Sequence, residues 1–206
     1  SSAGRENLEI LDHSGQTLLK LINDLLDFAR FDSGRIELEQ LVIEPADFLR
    51  ELCTLFRPTA EAKGLELHHR AGPEVPSVIL SDPMRLRQVL SNLLGNAIKF
   101  TTQGVVEVTV ERAPFATSTT TGRCRLRFHV TDTGIGIAPE KLAHLFEPYV
   151  QADASVARRF GGTGLGLSIS TRLAQLLGGG ITVQSAPASG SIFTVEIEAA
   201  IPEEAS

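Results

Sequence analysis

The sequence predicts an α+β fold, a two-layer α/β sandwich in which helices cover one face of a largely antiparallel sheet, preceded by one long helix. Helix and strand patterns are mixed along the chain without the regular βαβ order of a doubly wound sheet. A heptad repeat of apolar residues occupies only the N-terminal stretch, which therefore forms a separate element. The 206 residues, of which 42% are hydrophobic and 21% charged, are enough for one packed domain with an appendage.

The first helix is predicted from apolar and small residues that recur at alternating spacings of three and four: Leu8, Leu11, Gly15, Leu18, Ile22, Leu25 and Ala29. Further apolar residues widen this seam beyond a two-stranded stripe, so the helix must pack against several others. A four-helix bundle assembled from two chains would provide them, and the alternative is a core helix of the following domain. We place a domain boundary after Gly34, which divides the chain into segments 1–34 and 35–201 and a tail or linker at 202–206.

The second domain begins with a predicted strand over residues 35–43, whose alternation slips near Gln40. A helix follows over residues 45–63 and is closed by Gly64. Its inward-facing residues are Phe48, Leu49, Leu52, Leu55 and Phe56. Asp82 and Pro83 then supply an N-cap and a first helical residue for a helix that runs to about Thr101. The remaining predicted elements are strands at 65–69, 105–111, 124–131, 181–185 and 191–198 and helices at 139–146 and 165–177.

Composition and charge exclude several classes of function. With a net charge of -6 and a pI near 5.4, the chain has no global basic field, so we expect no nucleic-acid partner and no membrane contact. No apolar run approaches the roughly 20 residues needed to span a bilayer. Cys53 and Cys124 lie far apart in the sequence and form no Cys-x-x-Cys pair. We interpret both as buried thiols in a reducing compartment, and not as zinc ligands or a disulfide.

Three motifs carry the candidate chemistry, and the first is the loop at residues 132–137, which follows a predicted strand. Asp132 at the strand end can accept a hydrogen bond from an exocyclic amine. Gly134 and Gly136 leave the backbone bare, so a flat ring can approach it closely. A plain turn also explains such an Asp-x-Gly-x-Gly sequence.

The second motif places four glycines within six residues, directly before an apolar helix: Gly161, Gly162, Gly164 and Gly166. Backbone N–H groups exposed at a helix N-terminus suit phosphate. The motif is not a Walker loop, because no Gly-Lys-Ser or Gly-Lys-Thr follows. It is not a dinucleotide-binding fingerprint either, because no strand precedes it. A flexible hinge is the alternative interpretation.

The third motif lies on the helix that begins at Asp82. Asn92 and Asn96 are four residues apart and share a face, and Lys99 follows three residues later. An amide oxygen can ligate Mg²⁺ without adding charge, and a neighbouring lysine can neutralise phosphate oxygens. Asparagines on so apolar a helix are costly unless they have partners. Either a ligand or backbone groups would supply those partners.

Taken together and in this order, the motifs resemble the catalytic ATP-binding domain of sensor histidine kinases, in the superfamily shared with DNA gyrase B, the ninety-kilodalton heat-shock chaperones and MutL. The match runs through residues 85–101, 132–136, 146–149 and 162–167, and the resemblance covers about residues 8–200. It implies the Bergerat ATP-binding fold with ATP and Mg²⁺ as ligands. It also implies that residues 1–34 are part of the second helix of a dimerisation bundle.

The resemblance further implies roles for single residues. Asp132 would read the adenine amine, Asn96 would ligate Mg²⁺ with support from Asn92, and Lys99 would contact phosphate. Arg158 or Arg159 would reach the γ-phosphate from a mobile lid. The other ATP-binding positions implied by the matching motifs are Gly134, Gly136, Ile137, Phe146, Gly162, Thr163, Gly164, Leu165, Gly166 and Leu167. The stretch RRFGGTGLGL is similar to the lids of hybrid kinases, whose catalytic domains precede a receiver domain.

One position separates the kinases of this superfamily from its ATPases. Gyrase-like and MutL-like members carry a glutamate four residues before the metal asparagine, where this chain has Asn92. Without that base the activation of water should be slow, which favours phosphotransfer to a histidine over hydrolysis.

The five histidines do not match the acceptor box of the family, in which His is followed by Glu or Asp. His13 lies on the predicted second dimerisation helix, and structural roles are expected for the others: His68, His69, His129 and His144. We therefore assign no phosphoacceptor in this chain and expect the acceptor helix upstream of Ser1. The chain alone is expected to be inactive in autophosphorylation.

The predicted function is the catalytic part of a bacterial two-component sensor histidine kinase, which delivers the γ-phosphate of Mg-ATP to a histidine outside this chain. The alternatives are a non-catalytic regulatory homologue that acts by heterodimerisation and a Ser/Thr kinase of the anti-sigma type. Expected partners are ATP, a second copy bound through the bundle, and a response regulator or fused receiver domain. We expect a cytoplasmic location, with the parent protein either soluble or anchored in the inner membrane.

Overall fold

A computed structural model describes residues 37–113, 122–148 and 164–202, together with Gly15 and Ile22. The chain divides into two compact units, Ser1–Glu37 and Leu38–Ser206. The predicted long helix falls outside the described residues except for Gly15 and Ile22, which are both helical and exposed. Its assignment to a dimerisation bundle, and the boundary predicted after Gly34, remain predictions.

The second unit is built on a seven-stranded sheet. The strands are β1 Leu41–Ile43, β2 Glu66–Ala71, β3 Ile79–Ser81, β4 Val105–Ala113, β5 Arg123–Asp132, β6 Gly180–Ser185 and β7 Ser191–Ala200. The strand order is β1-β3-β7-β5-β4-β2, and β6 pairs with β7 beside that path. All pairings are antiparallel except that of β2 with β4, which is parallel. The predicted largely antiparallel sheet is therefore confirmed.

The two faces of the sheet differ in chemistry because side chains alternate along each strand. On β5, Leu126, Phe128 and Val130 are completely buried and form the centre of the core. The residues between them point to the other face, where Arg125 pairs with Glu198 at 2.6 Å and other charged side chains are half-exposed. The described helices therefore pack against the apolar face, which gives the predicted two-layer sandwich.

The described part of the second unit contains four helices: α1 Pro45–Ala62, α2 Pro83–Phe100, α3 Pro139–Leu142 and α4 Gly166–Leu176. Helix α2 begins as predicted, with Pro83 in its first turn and the Asp82 carboxylate accepting a hydrogen bond from Arg85 N at 2.9 Å. Helix α1 ends at a left-handed glycine, Gly64, with φ +70°. None of the helices in the described ranges is long and apolar enough to cross a membrane.

Some predicted elements have different bounds in the structure. Strand β1 covers only Leu41–Ile43, because residues 37–40 form no strand ladder. Helix α3 stops at Leu142 and not at residue 146, because it has no buried residue to stabilise it. Residues 143–147 continue instead as turns, with hydrogen bonds between residues three apart. Strand β3, Ile79–Ser81, was not predicted.

The inward orientation predicted for one residue of α1 is wrong. Leu55 is 66% exposed, whereas Cys53 is completely buried. At about 100° per residue, the buried arc of α1 extends from Phe48 to Cys53, and Leu55 lies just outside its Phe48 edge. Both cysteines of the chain, Cys53 and Cys124, are buried free thiols, as the sequence predicts.

Candidate nucleotide-binding site

Helix α2 ends beside the loop that carries Asp132, which we call the Asp132 loop (residues 132–137). The carbonyl oxygen of Phe100, the last residue of α2, accepts a hydrogen bond from Ile135 N at 3.4 Å. A Cβ atom at Gly134 would lie 2.6 Å from the same oxygen, so only glycine fits there. The first and third sequence motifs, which are separated by a whole strand pair, therefore meet at this point.

Asp132 is the last residue of β5 and is only 7% exposed. Its Oδ1 accepts a hydrogen bond from Gly134 N at 2.8 Å, and the amide and hydroxyl of Ser191 on β7 also donate to the carboxylate. Burial raises the pKa of Asp132 above its usual value, although these three hydrogen bonds act in the opposite direction. The carboxylate is thus held in a fixed orientation in a poorly solvated position, where a further donor such as an amine would be favourable.

The turn between β6 and β7 fixes the other side of the Asp132 loop. Ala188 N donates to Ile135 O at 2.8 Å, and Ile137 N donates to Ser185 Oγ at 2.8 Å. Gly136 has φ +67°, and a Cβ atom there would lie 1.9 Å from Ala186 O. Both glycines of the Asp132 loop are therefore required by close backbone contacts, and the loop lies between α2 and this turn.

Helix α4, which follows the glycine-rich motif, packs directly on α2 through the first asparagine. Asn92 Nδ2 donates to Ser170 Oγ at 3.0 Å. A Cβ atom at Gly166, the first residue of α4, would lie 2.6 Å from Asn92 Oδ1. Gly164 adopts φ +71° just before the helix, and Leu165 is buried. The second and third motifs therefore also meet, and α2 is the element shared by all three.

Asn96 and Lys99 lie between these two contact points on α2, and both are half-buried. Asn96 is one turn after Asn92 on the same face. The ammonium of Lys99 stacks over the Phe100 ring at 4.9 Å from its centroid. Eight residues separate Asn92 from Phe100, which corresponds to about 12 Å along the helix axis. An amide, an ammonium and the Asp132 loop are thus arranged in order along one helix.

The placement of the remaining predicted site residues varies. Arg158, Arg159, Gly162 and Thr163 lie outside the described residues. Phe146 is half-buried in the turns that follow α3. Of the other predicted residues, Asn92, Asn96 and Lys99 lie on α2, and Gly134 and Gly166 pack against it. The remaining ones are near those two glycines in the sequence: Asp132, Gly136, Ile137, Gly164, Leu165 and Leu167.

Sequence reasoning missed three serines that hold these motifs together. Ser170 accepts from Asn92, Ser191 donates to Asp132, and Ser185 bridges Ile137 N and Gly190 O, the latter at 2.7 Å. Ser170 and Ser191 are buried. A buried hydroxyl needs a partner, so a serine at an apolar position of the predicted α4 was the available signal.

The described residues contain no group of three or more His, Cys, Asp or Glu side chains that could hold a metal ion. A Mg²⁺ ion needs no such group, because it keeps several waters and binds through one or two protein oxygens and phosphates. The half-buried amide of Asn96 on the face shared with Asn92 is consistent with that type of site.

Comparison with known proteins identifies the domain. The family of Histidine kinase-, DNA gyrase B-, and HSP90-like ATPases matches residues 81–201. The chain belongs to this family. The matched region contains α2, the Asp132 loop and α4, which are the elements that meet at the candidate site.

Similar proteins place the chain among the kinases of this ATPase family. It is 40% identical to the signal transduction histidine-protein kinase BarA of Escherichia coli over 94% of this chain and 21% of BarA. It is also 40% identical to the sensor protein GacS of Pseudomonas syringae, over 93% of this chain and 21% of GacS. The chain therefore spans about a fifth of the length of these relatives. Within the ATPase family, it is a catalytic ATP-binding domain of the sensor histidine kinase type.

The structure is similar to that of full-length ShkA in complex with AMPPNP. The TM-score is 0.80 at 38% sequence identity, and the match covers 96% of this chain and 39% of ShkA. The catalytic domain of the histidine kinase ThkA matches with a TM-score of 0.60 and 25% identity, over 80% of this chain and 99% of that domain. The predicted fold, a Bergerat-type α/β sandwich, is confirmed by these similarities.

Proposed function

We propose that this domain binds Mg-ATP and delivers its γ-phosphate to a histidine outside the chain, as the catalytic part of a two-component sensor histidine kinase. The observation that carries the proposal is the convergence of three motifs on α2. Phe100 O contacts the Asp132 loop, and Asn92 contacts both Gly166 and Ser170 of α4. The structure of ShkA, which matches over 96% of this chain, is that of its complex with the ATP analogue AMPPNP.

In this proposal, the adenine ring lies against the Asp132 loop. Asp132 accepts the hydrogen bond of the exocyclic amine, since its carboxylate is buried and held by Gly134 and Ser191. Gly134 and Gly136 provide the bare backbone against which a flat ring packs. A guanine presents a carbonyl oxygen at the corresponding ring position, which would face the carboxylate without a donor, so adenine is selected.

The triphosphate would extend along α2 toward α4. Mg²⁺ would supply charge neutralisation at the phosphates, and the Asn96 amide oxygen would be its protein ligand. Lys99 would contact phosphate through an ammonium that rests on the Phe100 ring. The N-terminus of α4, which begins at Gly166, would add backbone N–H groups and the positive end of a helix dipole.

The surroundings of Asn92 support transfer over hydrolysis. Its NH₂ group donates to Ser170 Oγ at 3.0 Å, and its oxygen lies against Gly166. The Asn92 amide therefore joins α2 to α4, and it cannot accept a proton from water as a carboxylate would. Attack by a histidine needs no activated water, so the site is suited to phosphotransfer.

Three of the four histidines in the described part of the chain have partners outside α2. His129 on β5 bonds Thr194 Oγ1 at 2.9 Å and pairs with Glu111, and His144 pairs with Glu147 at 2.8 Å. His68 pairs with Glu66 at 3.1 Å on β2. We propose that the acceptor belongs to other residues of the parent protein, since none of the histidines of this chain matches the acceptor box. A homodimer formed through the helical bundle and a response regulator or fused receiver domain are the partners proposed with it.

A calorimetric titration with a non-hydrolysable ATP analogue and Mg²⁺ tests the nucleotide site. We expect micromolar affinity for the wild-type chain, as an order-of-magnitude value for a small, open site. Asp132→Asn replaces the charged acceptor and should weaken binding by roughly 10- to 100-fold. The matched control is Asp47→Asn, which changes a half-exposed carboxylate on α1 that pairs with Arg50 and should leave the affinity unchanged. Equal affinity of Asp132→Asn and the wild type would refute the assignment of Asp132.

Phosphotransfer needs a separate experiment. The chain with radiolabelled ATP and Mg²⁺ should show no autophosphorylation, and a helical bundle with an acceptor histidine added in trans should become labelled. The label should be acid-labile and should disappear when the acceptor histidine is replaced by glutamine. Steady ATP hydrolysis that is lost in Asn92→Ala, with no transfer to any histidine, would instead show an ATPase.

A further inference from the structure

The C-terminal end of α2 is capped from outside the helix. The last four carbonyl groups of an α-helix have no partner within it. Ala97 O is bonded by Thr101, through both N at 3.1 Å and Oγ1 at 2.7 Å, and Phe100 O is bonded by Ile135 N. The two carbonyls between them, those of Ile98 and Lys99, are bonded by a donor from outside α2.

Lys63 supplies that donor. Its Nζ donates to Ile98 O at 2.7 Å, to Lys99 O at 3.0 Å and to Thr101 O at 3.5 Å. An ammonium has three protons, so these three carbonyls use all of them. The positive charge also lies at the negative end of the α2 dipole, where it is most stabilising. A single side chain thus bonds the two carbonyls that precede that of Phe100 and the one that follows it, at Thr101.

The backbone of Lys63 is itself held by a tight turn at the end of α1. Lys63 N and Leu65 N both donate to Ala60 O at 3.0 Å, and Gly64 N donates to Glu61 O at 2.9 Å. Gly64 has the left-handed φ of +70° that this type of helix end requires. Ala60 is completely buried, so the turn is anchored in the core. The lysine therefore reaches α2 from a fixed point, although its own side chain is exposed.

We propose that Lys63 is a positioning residue of the nucleotide site: its ammonium holds the last turn of α2, and that turn holds the Asp132 loop. The link is Phe100, whose carbonyl oxygen is bonded by Ile135 N and packs against Gly134. Without the ammonium the last turn of α2 frays, Phe100 O moves, and the loop loses its support on the α2 side. This inference rests on the proposed function, because it assigns to Lys63 an effect on nucleotide binding.

The test compares Lys63→Met, which keeps the aliphatic stem, with Lys63→Arg, which keeps the charge and the donors. The probe is the non-hydrolysable ATP analogue with Mg²⁺, titrated at a temperature well below the unfolding transition of each variant. We expect Lys63→Met to weaken binding by about five- to tenfold, and Lys63→Arg to restore most of the affinity. Arg50→Met removes a cation of α1 that pairs with Asp47 and not with α2, and should leave the affinity unchanged.

Hydrogen exchange at the Asp132 loop would not change if Lys63 only stabilised the fold, so it distinguishes the two roles. In Lys63→Met the amide of Ile135, which is bonded to Phe100 O, should exchange faster than in the wild type. Amides at the centre of β5, such as that of Phe128, should be unaffected. Wild-type affinity together with unchanged exchange at Ile135 would overturn the proposal, even if Lys63→Met lowers the melting temperature.

The two proposals fail in different ways. If Asp132→Asn weakens binding while Lys63→Met binds like the wild type and leaves the exchange of Ile135 unchanged, then the nucleotide site stands and the role of Lys63 is refuted. If Asp132→Asn binds as tightly as the wild type, then the proposed nucleotide site itself is refuted. The role of Lys63 in holding the Asp132 loop is in that case decided by the exchange of Ile135 alone.

Discussion

Replacing Gly166 by alanine would place a methyl carbon 2.6 Å from Asn92 Oδ1 and 3.1 Å from Asn92 Cγ. These distances are shorter than van der Waals contact, and the asparagine is held in place by its hydrogen bond to Ser170. Overpacking of this kind costs about 1–3 kcal/mol. Alanine in place of a helical glycine returns about 0.5–1 kcal/mol. We therefore expect Gly166→Ala to lower the free energy of unfolding by up to about 2.5 kcal/mol.

A double-mutant cycle isolates the contact. In an Asn92→Ala background the obstructing amide is gone, so Gly166→Ala should become neutral or stabilising, and the sign of its effect reverses. Asn92→Ala alone should cost about 1–3 kcal/mol, because it leaves the buried Ser170 hydroxyl without this partner. The two substitutions together should therefore be less harmful than the sum of the single effects.

Urea denaturation followed by far-ultraviolet circular dichroism measures these effects, since the chain has no Trp and one Tyr. The matched control is Gly95→Ala on α2, where a Cβ atom would lie 3.7 Å from Phe56 Cε1, an ordinary contact. Gly95→Ala should raise the free energy of unfolding by about 0.5–1 kcal/mol. An equal cost of Gly166→Ala in the presence and absence of Asn92, within about 0.5 kcal/mol, would show that the Asn92–Gly166 contact does not exist.

Three further outcomes are expected. Burial raises the pKa of Asp132 in the folded state, so its stabilising contribution is fully present below the pKa of the unfolded chain and is lost as the pH rises through the pKa of the folded state. At pH 7 the buried carboxylate is charged, and Asp132→Asn should therefore resist urea better than the wild type. The difference should be smaller at pH 4. Ala188 adopts φ 59°, so Ala188→Gly should raise the free energy of unfolding by up to about 1 kcal/mol in the same assay. Burial raises the pKa of Cys53 to about 11 and also raises that of Cys124. Neither thiol should therefore react with a disulfide reagent at pH 8 until the chain unfolds. Rapid reaction of the native protein would contradict this expectation.

The secondary structure of the second unit was predictable where the sequence has a sustained repeat of apolar residues or a distinct signal for the end of a helix or strand. Helix α2 combines an N-cap at Asp82, a proline in its first turn and a sustained apolar face, and its predicted bounds agree with the structure within about one residue. Strands β5 and β7 alternate cleanly and extend only slightly beyond their predicted ends. Strand β3 was missed because three residues carry too little periodicity, and its pairing depends on contacts with distant strands.

The site was predictable in its residue types but not in its supporting contacts. Motif order pointed to Asp132, Asn92 and Gly166 without showing that the last two touch each other. Lys63 gave no sequence signal, since a lysine near the end of a helix is ordinary and its target carbonyls lie far along the chain. Contacts made to backbone atoms leave no complementary residue in the sequence, which is why they emerge only in three dimensions.

The turn between β6 and β7 has a further consequence for how the protein tolerates change. Its contacts with the Asp132 loop join main-chain atoms, as in the bond from Ala188 N to Ile135 O and the packing of Gly136 on Ala186 O. Such contacts depend on how many residues the turn contains and hardly on which side chains they carry. A one-residue insertion or deletion between Ser185 and Ser191 should therefore displace the Asp132 loop more than most point substitutions there. Among related domains, we expect this turn to vary in its amino-acid composition and not in its length.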